Sequence, residues 1–363
     1  MSNREAYLDQ LRVLAIIGIV CCHVCCDFII QNPSIYSHFN TFYMLPFFTL
    51  GRFVGIPIFV MLSGALLINK NYSFKEYVKK RFNRVFVPYM FWAIIFMLFT
   101  VLIFHKQLTG ELILNIVFGQ KGPVGVILWF VWMIIVVYIG IFIINKVLNF
   151  GKLKSENFEN NFINILVILS LVIYSLCNFG IIHYSGELFY YIQFIPYAIF
   201  GYALTHKNFI NSYLTPNRLV ILTFIISVFG YLYFNWMVVI NTINTNNYGP
   251  GSYFQFIVML ITFCLVLFFR YLPKSQFNKI NKLLSSKYIS SAILSISKCS
   301  YGIYFIHYLI LKLLQNVYLK QIGLFDHPKF WTPILLIVVF ISSWVIILIM
   351  GKIPVINKVS GAG

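Results

Sequence analysis

Acidic side chains are almost missing from this chain: 9 of its 363 residues are Asp or Glu, and charged residues of either sign make up only 10%. A soluble protein carries about 25% charged residues and needs a polar surface that this composition cannot supply. A soluble globular enzyme is therefore excluded, and so is a disordered chain, which would need far less apolar content. No Gly/Ser-rich linker, long low-complexity tract or short-period repeat interrupts the sequence, so a single domain over 1–363 is expected. What is abundant is apolar surface: 60% of the residues are hydrophobic, and the mean hydropathy is +0.85.

That surface comes in runs. A membrane-crossing helix needs about 20 mostly apolar residues. Candidate spans run over Leu11–Ile30, Phe47–Ile68, Val85–Phe104, Val126–Asn145, Phe162–Ile182, Leu188–Leu204, Leu219–Ile240, Tyr253–Leu272, Ile293–Val317 and Phe330–Met350. The expected fold is an all-α integral-membrane bundle of about ten transmembrane helices. The sixth run is short and contains Pro196, which predicts a kink or a partly re-entrant segment. The first run is too long for a signal peptide and carries His23 and Asp27, so it reads as a spanning helix. Lys274–Ser297 is expected to lie as an amphipathic helix on the inner surface.

The basic residues orient the bundle. Lys and Arg number 27, giving a formal net charge of +18. In a soluble protein that excess would suggest nucleic acid; here no nucleic-acid partner is expected, because the charges sort by side. With the N-terminus inside, the outer loops hold only Lys106, Lys121, Lys320 and Lys329, while Arg52 and Lys312 fall within helices. The remaining basic residues lie in the inner loops and termini, with a dense group at Lys75, Lys79, Lys80, Arg81 and Arg84. A miscounted helix would invert the alternation beyond the error. The positive-inside pattern therefore predicts a multi-pass protein of the cell membrane with both termini cytoplasmic.

The seven cysteines show no obvious pairing, and four of them, Cys21, Cys22, Cys25 and Cys26, crowd around His23. On a helix they divide between two faces, so a four-ligand metal site would need partners from other helices. Small residues are also ordinary packing material between membrane helices. Packing is the expectation here, with no metal.

Ionisable groups within a membrane are expensive and mark functional candidates. Arg12 and His23 are eleven residues apart, which is within about 20° of three full turns, with a rise of about 16 Å. They share a face of the first helix, with Arg12 at the inner surface and His23 beyond the middle. Asp27 follows His23 at the i,i+4 spacing and is a candidate to fix its tautomer. Histidine is the natural proton acceptor near neutral pH. Arg81 and Arg84 are three apart and would point together on an α-helix, as a pair able to grip phosphate. Arg52 is a further pocket candidate, and Lys312 is expected to snorkel outward.

Taken in order, these residues resemble the membrane acyltransferase-3 family. Leu8-Asp9-Gln10-Leu11-Arg12 through His23 is similar to its arginine–ten residues–histidine motif. Gly55 to Gly64, ending Leu62-Ser63-Gly64, resembles its second-helix segment. Arg81 and Arg84, followed by Pro88-Tyr89, resemble its paired-arginine motif. Leu128-Trp129-Phe130 looks like its aromatic signature, and Ser300 through His307 like its late-helix motif. The cysteines around His23 are not part of that pattern.

The resemblance implies transfer of an acyl group, usually acetyl from acetyl-CoA, to a hydroxyl of a carbohydrate or lipid-linked glycan. By it, His23 is the catalytic histidine, Arg12 its motif partner, Arg81 and Arg84 the groups tied to the donor, and Ser63 and His307 further pocket candidates. Acetyl-CoA or another acyl-CoA is then a substrate, and no permanently bound cofactor is expected. The expected partners are that donor, the glycan acceptor and membrane lipids. The competing reading is a glycan transporter or flippase, which would also place polar groups within the membrane. Such folds often show two related halves with matching broken helices, and no such pair is visible in the sequence.

Overall fold

The computed structural model describes residues 5–31, 38–119, 125–153, 155, 157–181, 186–245, 252–319 and 327–362. Among them the chain is helical, with no strand. Ten helices in this set are long and apolar enough to cross a membrane. Each corresponds to one of the runs in the sequence, with shifted ends. The second begins earlier than expected, in a helix over His38–Thr49, and passes through a π-helical turn at Leu50–Gly55 into Ile56–Leu67. The third starts in the basic loop itself: Phe74–Arg81 and a π-helical turn over Phe82–Phe86 lead into Val87–Phe104. Ser73 caps that start, its hydroxyl accepting from the Glu76 N–H at 3.3 Å.

The sixth span is broken where Pro196 predicts it. Glu187–Ile192 ends, and a second helix runs from Ile195 to His206 with the proline in its first turn. Lys274–Ser297 does not form the single surface helix expected. A short helix covers Asn278–Ser285, Ser286 is extended, and the ninth span begins at Lys287. The short helix is amphipathic: Ile280 and Leu283 are exposed, while Leu284 packs toward Leu219, Val220 and Tyr271. The segment after the third span holds a helix that the apolar runs did not announce, Gly110–Phe118, capped by Thr109, whose hydroxyl accepts from the Leu112 N–H.

The chain divides into two compact units. The first comprises residues 1–15, 52–71 and 136–295. Its tightest seam joins Ile56–Leu67 to Ile195–His206. A Cβ on Gly64 would lie 1.8 Å from the Ala198 carbonyl oxygen, and one on Gly201 would lie 2.0 Å from that of Met61. Only glycine permits such backbone approach, the usual device of helix packing in lipid. One end of this seam is held by a polar cluster. The Asn69 N–H donates to Asn145 Oδ1 at 2.7 Å, and the Asn69 amide donates to Glu159 at 2.8 Å and to the Tyr202 hydroxyl at 3.0 Å. Lys152 pairs with Glu159 at 2.8 Å. Asn69 itself sits at φ 65°, a left-handed position that asparagine tolerates.

The second unit comprises residues 16–51, 72–135 and 296–363. Gly18 and Gly51 meet backbone to backbone, and a Cβ on Gly51 would lie 2.0 Å from the Gly18 carbonyl oxygen and 2.6 Å from Cys22 Cβ. Several cross-links gather around the Lys287–Leu313 helix. Tyr301 donates to the Val85 carbonyl at 3.0 Å, and Tyr304 to the carbonyl of Ile127. Trp92 stacks on Phe305 and donates to the Ser360 carbonyl at 3.1 Å. The Val117 carbonyl accepts from Trp132 at 2.8 Å and also from Tyr89, which ties the Gly110–Phe118 helix down.

Candidate functional site

The second unit brings two of the sequence candidates into contact. His23 Nδ1 lies 2.8 Å from His307 Nε2, although the two residues are 284 positions apart. Their ring centroids are 5.0 Å apart. His307 is fully buried, and its Nδ1 lies 2.8 Å from the Ile303 carbonyl oxygen, one turn back on its own helix. A carbonyl only accepts, so His307 Nδ1 carries a proton and donates it. In a neutral imidazole the other nitrogen then accepts, so His307 Nε2 receives the hydrogen bond from His23 Nδ1–H. With both rings neutral, His23 Nε2 is left with its lone pair. The arrangement defines a base whose basic nitrogen is selected by a second histidine and, behind it, by the backbone.

Around this pair, Tyr308 meets His23 edge-on at 5.4 Å. Lys312 does not snorkel away as expected. It is 9% exposed, and its ammonium lies 5.2 Å from the centre of the Tyr308 ring. The aromatic face attracts the cation and shortens its reach toward the helix end.

The Lys287–Leu313 helix also acts as a ruler. Tyr301 is bonded to Val85, the neighbour of Arg84, so the paired arginines lie near the Tyr301 level. His307 is six residues on, about 9 Å along the axis. The paired-arginine segment is not the simple one-face pair that α-helical spacing implies. A π-helical turn at Phe82–Phe86 widens the helix between the two residues. Arg81 is half-buried, its guanidinium 5.8 Å from the Tyr77 ring centre, while Arg84 is exposed.

The aromatic signature also reaches this helix. A short 3₁₀ turn, Gly125–Leu128, precedes Trp129–Lys152, and Phe130 lies 5.1 Å from Tyr304. The Tyr304 hydroxyl donates to the Ile127 carbonyl.

Arg12, Arg52 and Ser63 belong to the first unit. Arg12 lies on the same uninterrupted helix as His23, Ala6–Gln31. It is held by Asp9 at 3.1 Å, and Asp9 is itself buried. The i,i+3 spacing of Asp9 and Arg12 was the available signal for this partner. Arg52 sits in the Leu50–Gly55 π-turn with its guanidinium 5.2 Å from the Phe53 ring centre. The Ser63 hydroxyl donates back to the Phe59 carbonyl at 3.1 Å, along its own helix. The Asp27 side chain lies outside the described residues.

Residues 5–350 match a family model described as an acyltransferase domain. The match runs through both units and covers most of the chain, and the chain belongs to the acyltransferase-3 family of membrane acyltransferases. No curated protein and no solved structure matches it.

Proposed function

We propose that this membrane acyltransferase moves an acyl group, most simply acetyl, from acyl-CoA to a hydroxyl of a cell-surface polysaccharide or a lipid-linked glycan precursor. The observation that carries the reading is the hydrogen-bond chain from His23 through His307 to the Ile303 carbonyl, which leaves His23 Nε2 as the basic nitrogen. His23 Nε2 takes the proton of the acceptor hydroxyl as its oxygen attacks the thioester carbonyl. The new carbon–oxygen bond forms, the carbon–sulfur bond breaks, and the proton passes from His23 to the departing CoA sulfur. His307 touches neither substrate and acts by holding the ring and its tautomer.

The charge pattern supports a donor bound from the cytoplasmic side of the cell membrane, with both termini on that side. Arg81 and Arg84 are the donor-binding residues, Arg12 the motif partner of His23, and no permanently bound cofactor is required. The test is incorporation of radiolabelled acetyl from acetyl-CoA into alkali-labile esters of the membrane carbohydrate fraction. Membranes containing the chain should show it and matched membranes lacking the chain should not. Glycan movement across the bilayer without label transfer would favour the transporter reading.

Arg81→Ala/Arg84→Ala should weaken acetyl-CoA affinity by about a hundredfold, the effect of losing two charge-assisted hydrogen bonds of about 1.5 kcal/mol each. Membrane abundance should stay near wild type. Direct binding of acetyl-CoA to the purified variant checks this, and unchanged affinity would reduce the pair to an orientation signal.

The cysteines act as packing in this account. Cys22 approaches Gly51 through its Cβ, which alanine retains. Replacing Cys21, Cys22, Cys25 and Cys26 together by alanine should leave measurable transfer, and the purified protein should carry no stoichiometric zinc. Elemental analysis showing one zinc per chain, lost together with activity in that variant, would contradict the metal-free mechanism.

A further inference from the structure

Gln315 is 2% exposed, and among the described residues neither its amide oxygen nor its amide nitrogen has a hydrogen-bond partner. A buried amide with both ends unpaired has lost its bonds to water without replacing them, so it is free to bind a polar group from outside the chain. Its position narrows what that ligand is. Gln315 follows Tyr308 by seven residues, about two turns and 10 Å further along the helix, on the same side. Tyr308 is the residue whose ring meets His23, and Lys312 lies between them over that ring. Gln315 also falls within the π-helical turn Leu314–Leu319, a distortion frequent at functional sites.

Along the same helix the order is Tyr301 beside the paired-arginine segment, then His307 with His23, then Gln315. The dyad therefore lies between the arginines and the amide. A donor held at the arginines reaches His23 from one direction, and Gln315 stands in the opposite one.

We infer that Gln315 is an acceptor-binding residue, whose amide hydrogen-bonds a hydroxyl or acetamido group on the sugar unit next to the one being acylated. This rests on the acyl-transfer reading above. A carboxamide offers two donors and an acceptor oxygen, which suits a neutral carbohydrate group that both gives and receives a hydrogen bond. Gln315 is eight residues, about 12 Å, along the helix from His307, which is too far for the reacting hydroxyl and suits a neighbouring residue of a chain. The assignment makes the enzyme selective for an oligomeric acceptor over a single sugar.

Gln315→Met tests it, because methionine keeps the length and unbranched shape of glutamine and removes the amide. The acceptor probe is envelope carbohydrate from the host, stripped of its esters with mild alkali and titrated against radiolabelled acetyl-CoA. The concentration giving half-maximal transfer is expected to rise about tenfold, the effect of a lost interaction of about 1.4 kcal/mol. Affinity for acetyl-CoA should be unchanged, and the thermal midpoint of the purified protein should be equal or higher, since an unpaired buried amide has been removed. Wild-type acceptor dependence in Gln315→Met would overturn the assignment. So would a loss of transfer accompanied by a lowered midpoint or weakened donor binding, which would make Gln315 a structural residue. His23→Ala in the same assay separates the two levels. If that variant transfers normally, the underlying mechanism fails; if it is inactive while Gln315→Met behaves as wild type, only the acceptor subsite fails.

Discussion

His23→Ala is expected to lower the rate of acyl transfer by about 10²–10⁴-fold, the usual contribution of a positioned general base. The substitution removes the only ring nitrogen that the hydrogen-bond chain leaves basic, while His307 keeps its bond to Ile303. The fold should tolerate it, because the glycine contact that seats the first helix in the second unit lies at Gly18, more than one turn away. Affinity for acetyl-CoA should be retained, since the donor groups proposed here are at Arg81 and Arg84. A loss confined to the chemical step, at equal membrane abundance, is the signature. A parallel loss of donor affinity would mean that the residue shapes the pocket instead.

The second large effect is expected at His307. His307→Ala should slow transfer at least about tenfold, because His23 then loses the acceptor that selects its Nδ1–H tautomer. His307→Gln should be less damaging, since the side-chain carbonyl can accept from His23 Nδ1–H in place of the imidazole. A purely structural histidine would not show that order. In the His23→Ala background, His307→Ala should cost almost nothing more, as expected for residues acting as one unit. Additive losses, or equal damage from Ala and Gln, would separate the two histidines.

The bundle was legible in the sequence because lipid imposes a length on each apolar run. Pro196 announced the break in the sixth span for an equally local reason: its ring cannot continue a helix and starts a new one well. What escaped the sequence depends on contacts between distant segments or on small departures from α geometry. The 2.8 Å contact of His23 with His307 joins residues with no helical relationship in the chain. Asp27 was the local candidate for that partner, and spacing alone could suggest nothing else. The π-helical turns at Leu50–Gly55 and Phe82–Phe86 change how Arg52 and Arg84 are presented, yet no residue in them is diagnostic. Lys312 was assigned outward from its charge, but Tyr308 four residues earlier offers it an aromatic face. Gln315 carried no signal at all, since an uncharged amide in an apolar run looks like tolerated noise until its burial is known.

The central claim is that the basic nitrogen of His23 drives transfer from a donor already in place. The most direct measurement follows radiolabelled acetyl-CoA in membranes containing either the wild-type chain or His23→Ala at matched abundance, recording donor binding and alkali-labile carbohydrate ester together. The account predicts label in the carbohydrate for the wild type only, with the donor bound equally by both. Ester formed by His23→Ala at the wild-type rate would contradict it.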